Sequence, residues 1–480
     1  AKAQGQTPES LVDFYRKSHK DTMDKFHINL DYFASTHDPK LKELADQFFQ
    51  TMQKNGDIET KTIEQAYDEQ EKMFLPDRMI KGTCPKCHAK DQYGDNCDRC
   101  GATYNTVDLI DPYSVLSGNT PVKKETLHYF FTLSSYQELI DNWLKNGAVA
   151  ESVYNKLQEW LKETLKSWDI SRDAPYFGFN IGQERDKFYY VWFDAPIGYL
   201  LFAQSMLEEK NLDPSLFFNP ENDNEVTHIV GKDVIYFHSL FWPGMLSSNN
   251  YKLPKRVQVH GFLTINGEKM SKSKNNFIEA NQYLEKLNPE YFRYYAACKL
   301  QNSISDIDFD FEGFSKKINS DLIGKVVNIA SRCASFIHKY FDGQLASSLH
   351  QEKLYHDGVK QGEKILEHIE NFDYHKAVHV IMAIADESNA YIDQFKPWAL
   401  AKEGNLDLVH LVCTQGLNQF KLLMTYLQVI LPETAQKSCR FLQLEELSFI
   451  ERDKALLGCG IAPFEPLLSR IETKTVAELI

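Results

Sequence analysis

No run in this sequence is both long and apolar enough to cross a membrane. The most apolar late stretch, Leu408 to Leu431, is interrupted by Gln415, Asn418, Gln419 and Lys421 and reads as a buried helix. No basic segment followed by an apolar core opens the chain, so no secretory signal is visible. Cysteine is sparse, nine in 480 residues, and only four of the nine cluster. That suits a reducing cytosol with one metal site better than a disulfide framework, so a cytoplasmic location is expected. Positive charge is in deficit: 53 Lys and Arg against 67 Asp and Glu leave a net charge of -14. A surface that grips polyanions everywhere is excluded, and any nucleic-acid contact must come from local basic patches. Internal repeats and low-complexity segments are missing too. The chain opens Ala1-Lys2-Ala3-Gln4 without an initiator methionine, inside helix-like sequence, and reads as a fragment or as the ordered part of a longer protein.

At 55.5 kDa the chain can bury sizeable cores and is expected to form two to four domains. Residues 1 to about 75 read as helices, opened by Thr7-Pro8-Glu9 and again by Asp38-Pro39. Leu11, Phe14 and Tyr15 give the first an apolar face, and Leu41, Leu44, Phe48 and Phe49 do so for the second. From Tyr67 to Pro112 the texture turns to glycines, turns and cysteines, and 128 to 168 returns to helical patterning. Tyr176 to Ile181 and Phe188 to Phe193 read as strands. Val226 to Val230 and Val257 to His260 read as buried strands with an apolar helix between them, a βαβ unit of a doubly wound sheet. Beyond about 315 nearly everything reads as helix, with breaks near Asp342-Gly343, Pro397 and Pro432. The fold class expected is α/β, a Rossmann-like doubly wound parallel sheet interrupted by a cysteine-bearing insertion and followed by an all-α helix bundle.

Cys84-Pro85-Lys86-Cys87 and Cys97-Asp98-Arg99-Cys100 are two C-x-x-C pairs nine residues apart. Each wraps a tight turn that aims two thiolates at one point. Four thiolates suit a tetrahedral Zn²⁺ with no open position, hence a structural site. Iron is the remaining alternative. His88 is too close to Cys87 in sequence to ligate easily beside it.

The stretch His260 to Lys274, HGFLTINGEKMSKSK, pairs a strand with Asn266-Gly267, a strong signal for a type I′ hairpin turn. Beyond the turn stand Lys269, Ser271, Lys272, Ser273 and Lys274, mobile point charges able to follow charge developing on a phosphate. Upstream, Trp192-Phe193-Asp194-Ala195-Pro196-Ile197-Gly198-Tyr199 reads as a strand ending in Asp-Ala-Pro. Trp192 and Tyr199 there could wall an apolar side chain, with Ala195 and Pro196 leaving room. In Gly231-Lys232-Asp233-Val234-Ile235-Tyr236-Phe237-His238, glycine at a strand end lets a nucleotide approach the backbone, and Asp233 can accept from a ribose hydroxyl. His238 lies one helical turn beyond Val234. Taken alone, the aromatic stretches read as plain core and the lysine run as a solvated basic turn.

Together, and in this order along nearly the whole chain, WFDAPIGY, GKDVIYFH and HGFLTINGEKMSKS with the four-cysteine knuckle resemble the methionyl-tRNA synthetases, class I aminoacyl-tRNA synthetases of the bacterial type. The resemblance implies that Trp192, Ala195, Pro196, Tyr199, Val234 and His238 enclose methionine, whose polarisable thioether favours aromatic contacts. It implies that Gly231, Asp233, His260, Gly261, Leu263 and Lys272 bind ATP, brought with Mg²⁺, and that Lys269 and Lys272 are the catalytic lysines that neutralise its phosphates. It matches Arg172 to a position supporting the active site, although an ion pair with Asp169 or Asp173 explains that arginine equally well. Asn328, Arg332 and Trp398 resemble the family's anticodon-reading residues, with Lys316, Lys317, Lys325 and Lys339 as phosphate contacts nearby. Cys84, Cys87, Cys97 and Cys100 would hold the single structural Zn²⁺.

The domains implied are 1–38, the remaining N-terminal part of the catalytic domain; 39–188, a connective insertion with its knuckle at 84–100; 189–262, the second half of the catalytic domain; 263–325, the KMSKS and stem-contact region; and 326–480, the anticodon-binding bundle. The family's H-x-G-H motif has no counterpart anywhere in the sequence, and Ala1 corresponds to a point past it. Losing such electrostatic donors costs about two to three orders of magnitude each. The family's aspartate for the methionine amino group would be missing as well, so a bare 480-residue chain is expected to be nearly inactive. The function expected is an ATP-dependent ligase that forms methionyl-adenylate and transfers methionine to tRNA(Met), with ATP, L-methionine and tRNA(Met) as partners, no membrane and a monomeric state. The alternatives are a class I synthetase for another apolar amino acid and a non-catalytic tRNA-binding or zinc-scaffold protein.

Overall fold

The structure is a computed structural model that describes residues 5–94, 97, 99, 100, 102, 104–270 and 276–479. The chain divides into two compact units. The first comprises Ala1–Lys17, Leu30–His228 and Asp233–Val257. The second comprises Ser18–Asn29, Ile229–Lys232 and Gln258–Ile480.

Chain order begins with α1 (Pro8–Lys25), α2 (Pro39–Lys54), β1 (Ile58–Asp68) and β2 (Met73–Phe74). The start signals act as expected: Ser10 N–H donates to Thr7 Oγ1, and Lys40 N–H donates to the Asp38 carboxylate. Helix α2 buries Leu41, Ala45, Phe48, Phe49 and Met52, four of them at i, i+4, i+7 and i+11. The expected apolar face of α1 is not a buried one, since Phe14 and Tyr15 stand exposed. Residues 58–68 are strand where helix is expected, because Ile58-Glu-Thr-Lys-Thr-Ile-Glu-Gln pairs along its length with residues 59 to 73 positions away. That partner is β6 (Val122–Phe131), reached after β3 (Ile80–Thr83), β4 (Gln92–Tyr93) and β5 (Ile110–Ser114). Two small antiparallel sheets result here, β4-β3-β5 around the cysteines and β2-β1-β6-β7, where β7 is Trp168–Asp169. Helices α3 (Gln137–Trp143) and α4 (Glu151–Leu161) lie between β6 and β7, so helix begins only after 131 in the stretch expected to be helical.

After β8 (Ser171–Asp173) and its antiparallel partner β9 (Lys187–Tyr189) comes α5 (Val191–Glu209). The expected strands there shrink to β9 and a single bridge, Asn180 to Phe188. The WFDAPIGY stretch is helix, not the end of a strand. Helix α5 packs on α2, and Tyr189 on its approach donates from its hydroxyl to Asp46 at 2.8 Å. Strands β10 (Thr227–Gly231) and β11 (Arg256–His260) form the expected sheet, two-stranded among the described residues. The apolar segment between them winds through a π-helical turn at Phe237–Phe241 into α6 (Trp242–Ser248).

The second unit holds β12 (Leu263–Ile265), β13 (Glu268–Lys269), α7 (Ala280–Lys286), α8 (Pro289–Lys299) and β14 (Ile307–Phe309). Strand β12 pairs antiparallel with β13 and parallel with β14. A continuous helical run follows, from α9 (Phe311–Lys317) through a π-helical stretch into α10 (Asn328–Phe341). The rest is α11 (Glu352–Glu370), α12 (Tyr374–Phe395), α13 (Pro397–Lys402), α14 (Leu406–Leu427), α15 (Pro432–Leu442) and the short α16 (Thr473–Ala477). The expected breaks occur: Asp342 is left-handed after α10, and Pro397 and Pro432 open α13 and α15.

Helix α14 is the buried axis of this bundle. Three of the four polar residues that interrupt its apolar run, Gln415, Asn418 and Lys421, bond peptide groups from elsewhere, while the Gln419 amide is buried without a partner. The Asn418 amide bonds both backbone groups of Leu456, Lys421 Nζ donates to Lys454 O, and Gln415 Oε1 accepts from Gln351 N–H. That explains why most of 443–472 forms no helix, against expectation: part of it is held by side chains of α14 instead of by its own ladder. No described helix is long and apolar enough to cross a membrane.

Candidate active site and metal knuckle

The four knuckle sulfurs lie within 4.8 Å of one another. Cys84 Sγ and Cys100 Sγ are 3.9 Å apart, and Cys87 Sγ and Cys97 Sγ are 3.5 Å apart. A tetrahedron with bonds of about 2.3 Å has edges of about 3.8 Å, so the set fits Zn²⁺. The two halves are built alike. Backbone N–H groups of Lys86 and Cys87 point at Cys84 Sγ, and that of Cys100 points at Cys97 Sγ. Cys84 N–H bonds Ala89 O, and Cys97 N–H bonds Ala102 O. Burial pushes the Cys84 thiol up, but the Cys87 and Lys86 amides and neighbouring thiols outweigh it and bring it down to about 7. Donors aimed at sulfur favour the thiolate a metal requires. His88 stands in left-handed backbone, and the four-sulfur cluster does not include it.

In the first unit an aromatic cluster forms where α5 faces the turn after β10. His238 Nδ1 lies 3.0 Å from Val234 O, which makes that nitrogen the donor and leaves Nε2 as an acceptor. Tyr199 Oη donates to Nε2 at 2.9 Å. Trp192 stacks on Phe237 at 4.1 Å and meets His238 edge-on at 6.0 Å. A second histidine closes the other side: the His228 ring lies 4.6 Å from Tyr199, and its Nε2 accepts from Trp242 Nε1. Burial depresses both imidazoles, His228 to about 3, and pushes the Asp194 carboxyl up to about 7. Ala195 and Pro196 sit on the second turn of α5, and the missing Pro196 N–H leaves Trp192 O without its usual i+4 donor. Asp233 is exposed in the 3-10 turn that precedes His238. The outcome is a cluster of packed rings whose two imidazoles burial holds towards the neutral form.

In the second unit the hairpin is as expected, with Asn266 at φ 48° and Gly267 at φ 79°. Its anchor lay beyond sequence reasoning. The Asp308 carboxylate accepts from Thr264 Oγ1 at 2.8 Å and from Gly267 N–H at 2.7 Å. Asp306 takes Lys232 Nζ at 2.5 Å and Phe262 N–H at 2.7 Å. Lys232 and Lys269 both lie on the Phe262 ring, at 4.6 Å and 5.5 Å. Gly261 is required by packing, since a Cβ there would lie 2.1 Å from Ser305 O. His260 Nδ1 lies 2.9 Å from Gly261 O, and the Leu263 side chain packs on the helical core. Gly231 ends β10 beside Lys232. Lys272 lies outside the described residues.

A family model described as tRNA synthetases class I (M) matches residues 1–334. The chain belongs to the class I tRNA synthetases. Among solved structures it is similar to Mycobacterium tuberculosis methionyl-tRNA synthetase in complex with methionyl-adenylate, at 23% identity and TM-score 0.75. The match covers 97% of this chain and 88% of that one. The apo form of the same mycobacterial enzyme matches at 21% identity and TM-score 0.74, with the same coverage.

In this class I synthetase two of the three expected anticodon residues meet. The Arg332 guanidinium lies 4.5 Å over the Trp398 ring and pairs with Asp393 at 2.6 Å, and Asn328 is one turn before it on α10. Lys317 and Lys325 are held by Asp321 and Asp386, and Lys339 lies against Tyr340. Arg172 stacks 3.8 Å over Tyr190, with Asp169 at 3.7 Å, so its ion pair is with Asp169. Asp173 is occupied by His128 at 2.9 Å and by Lys187. His128 went unremarked in the sequence because it stands alone on a strand. It is fully buried, with Nδ1 2.8 Å from Asp169 and Nε2 2.9 Å from Asp173. Two carboxylates facing both ring nitrogens demand an imidazolium.

Proposed function

We propose that this chain is a methionine–tRNA ligase acting on ATP, L-methionine and tRNA(Met). The observation that carries the reading, beside the family membership, is the uncharged aromatic cluster of Trp192, Tyr199 and His238. Two histidines held neutral by burial suit an apolar side chain and penalise a charged one, and stacked rings suit a thioether.

The chemistry proceeds in two displacements. The methionine carboxylate attacks the α-phosphorus of ATP, forming an O–P bond as the bond to the β-phosphate oxygen breaks and pyrophosphate leaves. The terminal ribose hydroxyl of tRNA then attacks the adenylate carbonyl, and AMP departs with the bonding electrons. No covalent bond to the enzyme is needed when positioning and charge stabilisation supply the catalysis. Trp192, Ala195, Pro196, Tyr199, Val234 and His238 hold the amino acid. Gly231, Asp233, His260, Gly261 and Leu263 hold ATP, and Lys269 and Lys272 neutralise its phosphates. Mg²⁺ brought with ATP supplies further charge neutralisation, and Zn²⁺ on Cys84, Cys87, Cys97 and Cys100 is structural. Asn328, Arg332 and Trp398 read the CAU anticodon, and Arg172 supports the active site from the Asp169 cluster. The segments 1–38, 39–188, 189–262, 263–325 and 326–480 are the proposed domains of a cytoplasmic monomer.

The test is ligand binding. A non-hydrolysable methionyl-adenylate analogue is expected to bind and to be displaced by methionine but not by leucine, and a tRNA transcript with CAU is expected to bind better than one with the anticodon changed. Displacement by leucine as readily as by methionine would overturn the specificity assigned here.

A further inference from the structure

Four helices of the second unit, α8, α9, α11 and α12, line a cavity of about 600 Å³ whose wall contains no acidic residue. Six of its ten lining residues carry basic side chains: Lys317, Lys364, His368, His375, Lys376 and His379. In a chain of net charge -14 this is a local inversion of sign. Lys364 and His368 lie four apart on α11, and His375 and His379 four apart on α12, so each pair shares one helix face. Asp321 holds Lys317 at 2.9 Å and Asp373 holds Lys376 at 2.8 Å, both from outside the wall. Lys364 is exposed and has no ion-pair partner among the described residues.

Two independent observations mark the cavity as incomplete. His375 Nδ1 is shut off from solvent and has no hydrogen-bond partner, an uncommon condition for a buried polar atom. The first turn of α12 bears His375 and Lys376, where the helix dipole already concentrates positive charge, and the N-cap carboxylate, Asp373, is taken by Lys376 and by Asn302 N–H. An anion bound here would answer both.

We propose that this cavity binds phosphate groups, carried either by the ribose-phosphate backbone of tRNA or by a small phosphorylated molecule. Lysines supply mobile point charges and imidazoles supply N–H donors, a combination that recognises phosphate without reading sequence. The tRNA source rests on the ligase reading above; the site itself does not.

The experiment uses the full chain with Lys364→Glu/Lys376→Glu and, as a milder variant, Lys364→Ala/His379→Ala. All three positions are exposed, and thermal melting checks that each variant folds. tRNA binding is followed by fluorescence anisotropy between 50 and 200 mM salt, and inorganic phosphate binding by calorimetry. With tRNA as source, the charge-reversal variant loses about ten-fold in affinity at low salt, and the slope of log K against log salt falls by about 1.5. With a free phosphorylated molecule as source, tRNA binding stays the same and the heat of phosphate binding disappears. Variants that fold and change neither measurement overturn the site. A wild-type chain indifferent to the anticodon overturns the ligase reading instead, and the phosphate titration then judges the cavity alone.

Discussion

Replacing His128 by leucine is the sharpest test of the electrostatics in the first unit. The imidazolium is fully buried, 2.8 Å from Asp169 and 2.9 Å from Asp173. Removing one partner of a buried ion pair costs about 3–5 kcal/mol. Lys187 still serves Asp173 and Arg172 still faces Asp169, so the lower end, about 3 kcal/mol, is expected. The pH dependence follows from opposing effects on the ring. Burial pushes the His128 pKa down, but the hydrogen bonds and charges of Asp169 and Asp173 outweigh it and hold the pKa above its usual value. A raised histidine pKa gives stability that is complete below about pH 6.5 and is lost as pH rises through the folded value. Asp173 works in the other sense: burial would raise it, but His128 and Lys187 keep it below the usual carboxylate range. Its contribution is present above about pH 4 and is lost as pH falls through the lowered value. The cluster is therefore most stabilising between about pH 4 and 6.5. A neutral imidazole retains a hydrogen bond worth only about 1 kcal/mol, so the substitution should cost about 3 kcal/mol at pH 6 and less at pH 9, as the ring loses its proton through the raised value. Urea unfolding followed by tryptophan fluorescence at both pH values measures the difference. A larger loss at pH 9 than at pH 6 would refute the charged assignment, because a histidine with a raised pKa can only lose stabilising power as pH rises.

Tyr199→Phe removes the donor to the buried His238 Nε2 and is expected to weaken binding of a methionyl-adenylate analogue by about 5- to 30-fold, read by calorimetry, an unsatisfied buried acceptor being worth about 1–2 kcal/mol. Cys97→Ser is expected to abolish stoichiometric zinc in elemental analysis and to raise hydrogen exchange through 84–104, with the helices of the second unit keeping their protection. Arg332→Lys keeps the charge but loses the planar stack on Trp398, so preference for a CAU-bearing transcript should fall about five-fold in a filter-binding assay while binding of the adenylate analogue is unaffected.

What could be seen in the sequence was whatever is local. The left-handed pair at Asn266-Gly267, the two cysteine turns, the starts at Asp38-Pro39, Pro397 and Pro432, and the His238–Val234 spacing each depend on residues within four positions of one another. The groups that complete the sites are distant. Asp306 and Asp308 reach the KMSKS hairpin from more than forty residues away, Asp393 reaches Arg332 across 61, and His128 finds its carboxylates across 41 and 45. None leaves a periodic trace. The strand assigned to WFDAPIGY failed for another reason. A continuous apolar run has no period to read, and Pro196 argues against helix unless it falls near the start, where α5 accommodates it at the cost of one backbone hydrogen bond. The opposite error at 58–68 arose because a strand exposed along much of its length has no clean alternation, and only its pairing with 122–131 identifies it.

The tie between Asp308 and the hairpin also orders events in time. Asn266 and Gly267 can turn as soon as they leave the ribosome, since a two-residue loop closes within microseconds. The strand that fixes the turn, Ile307–Phe309, is made 44 residues later, after two helices, and its parallel pairing with Leu263–Ile265 must close that whole loop. At roughly 5–20 residues per second the lysine-bearing turn spends several seconds of every synthesis formed but unmoored. A nascent chain halted before residue 305 would thus carry the lysine-bearing hairpin without the carboxylates that brace it.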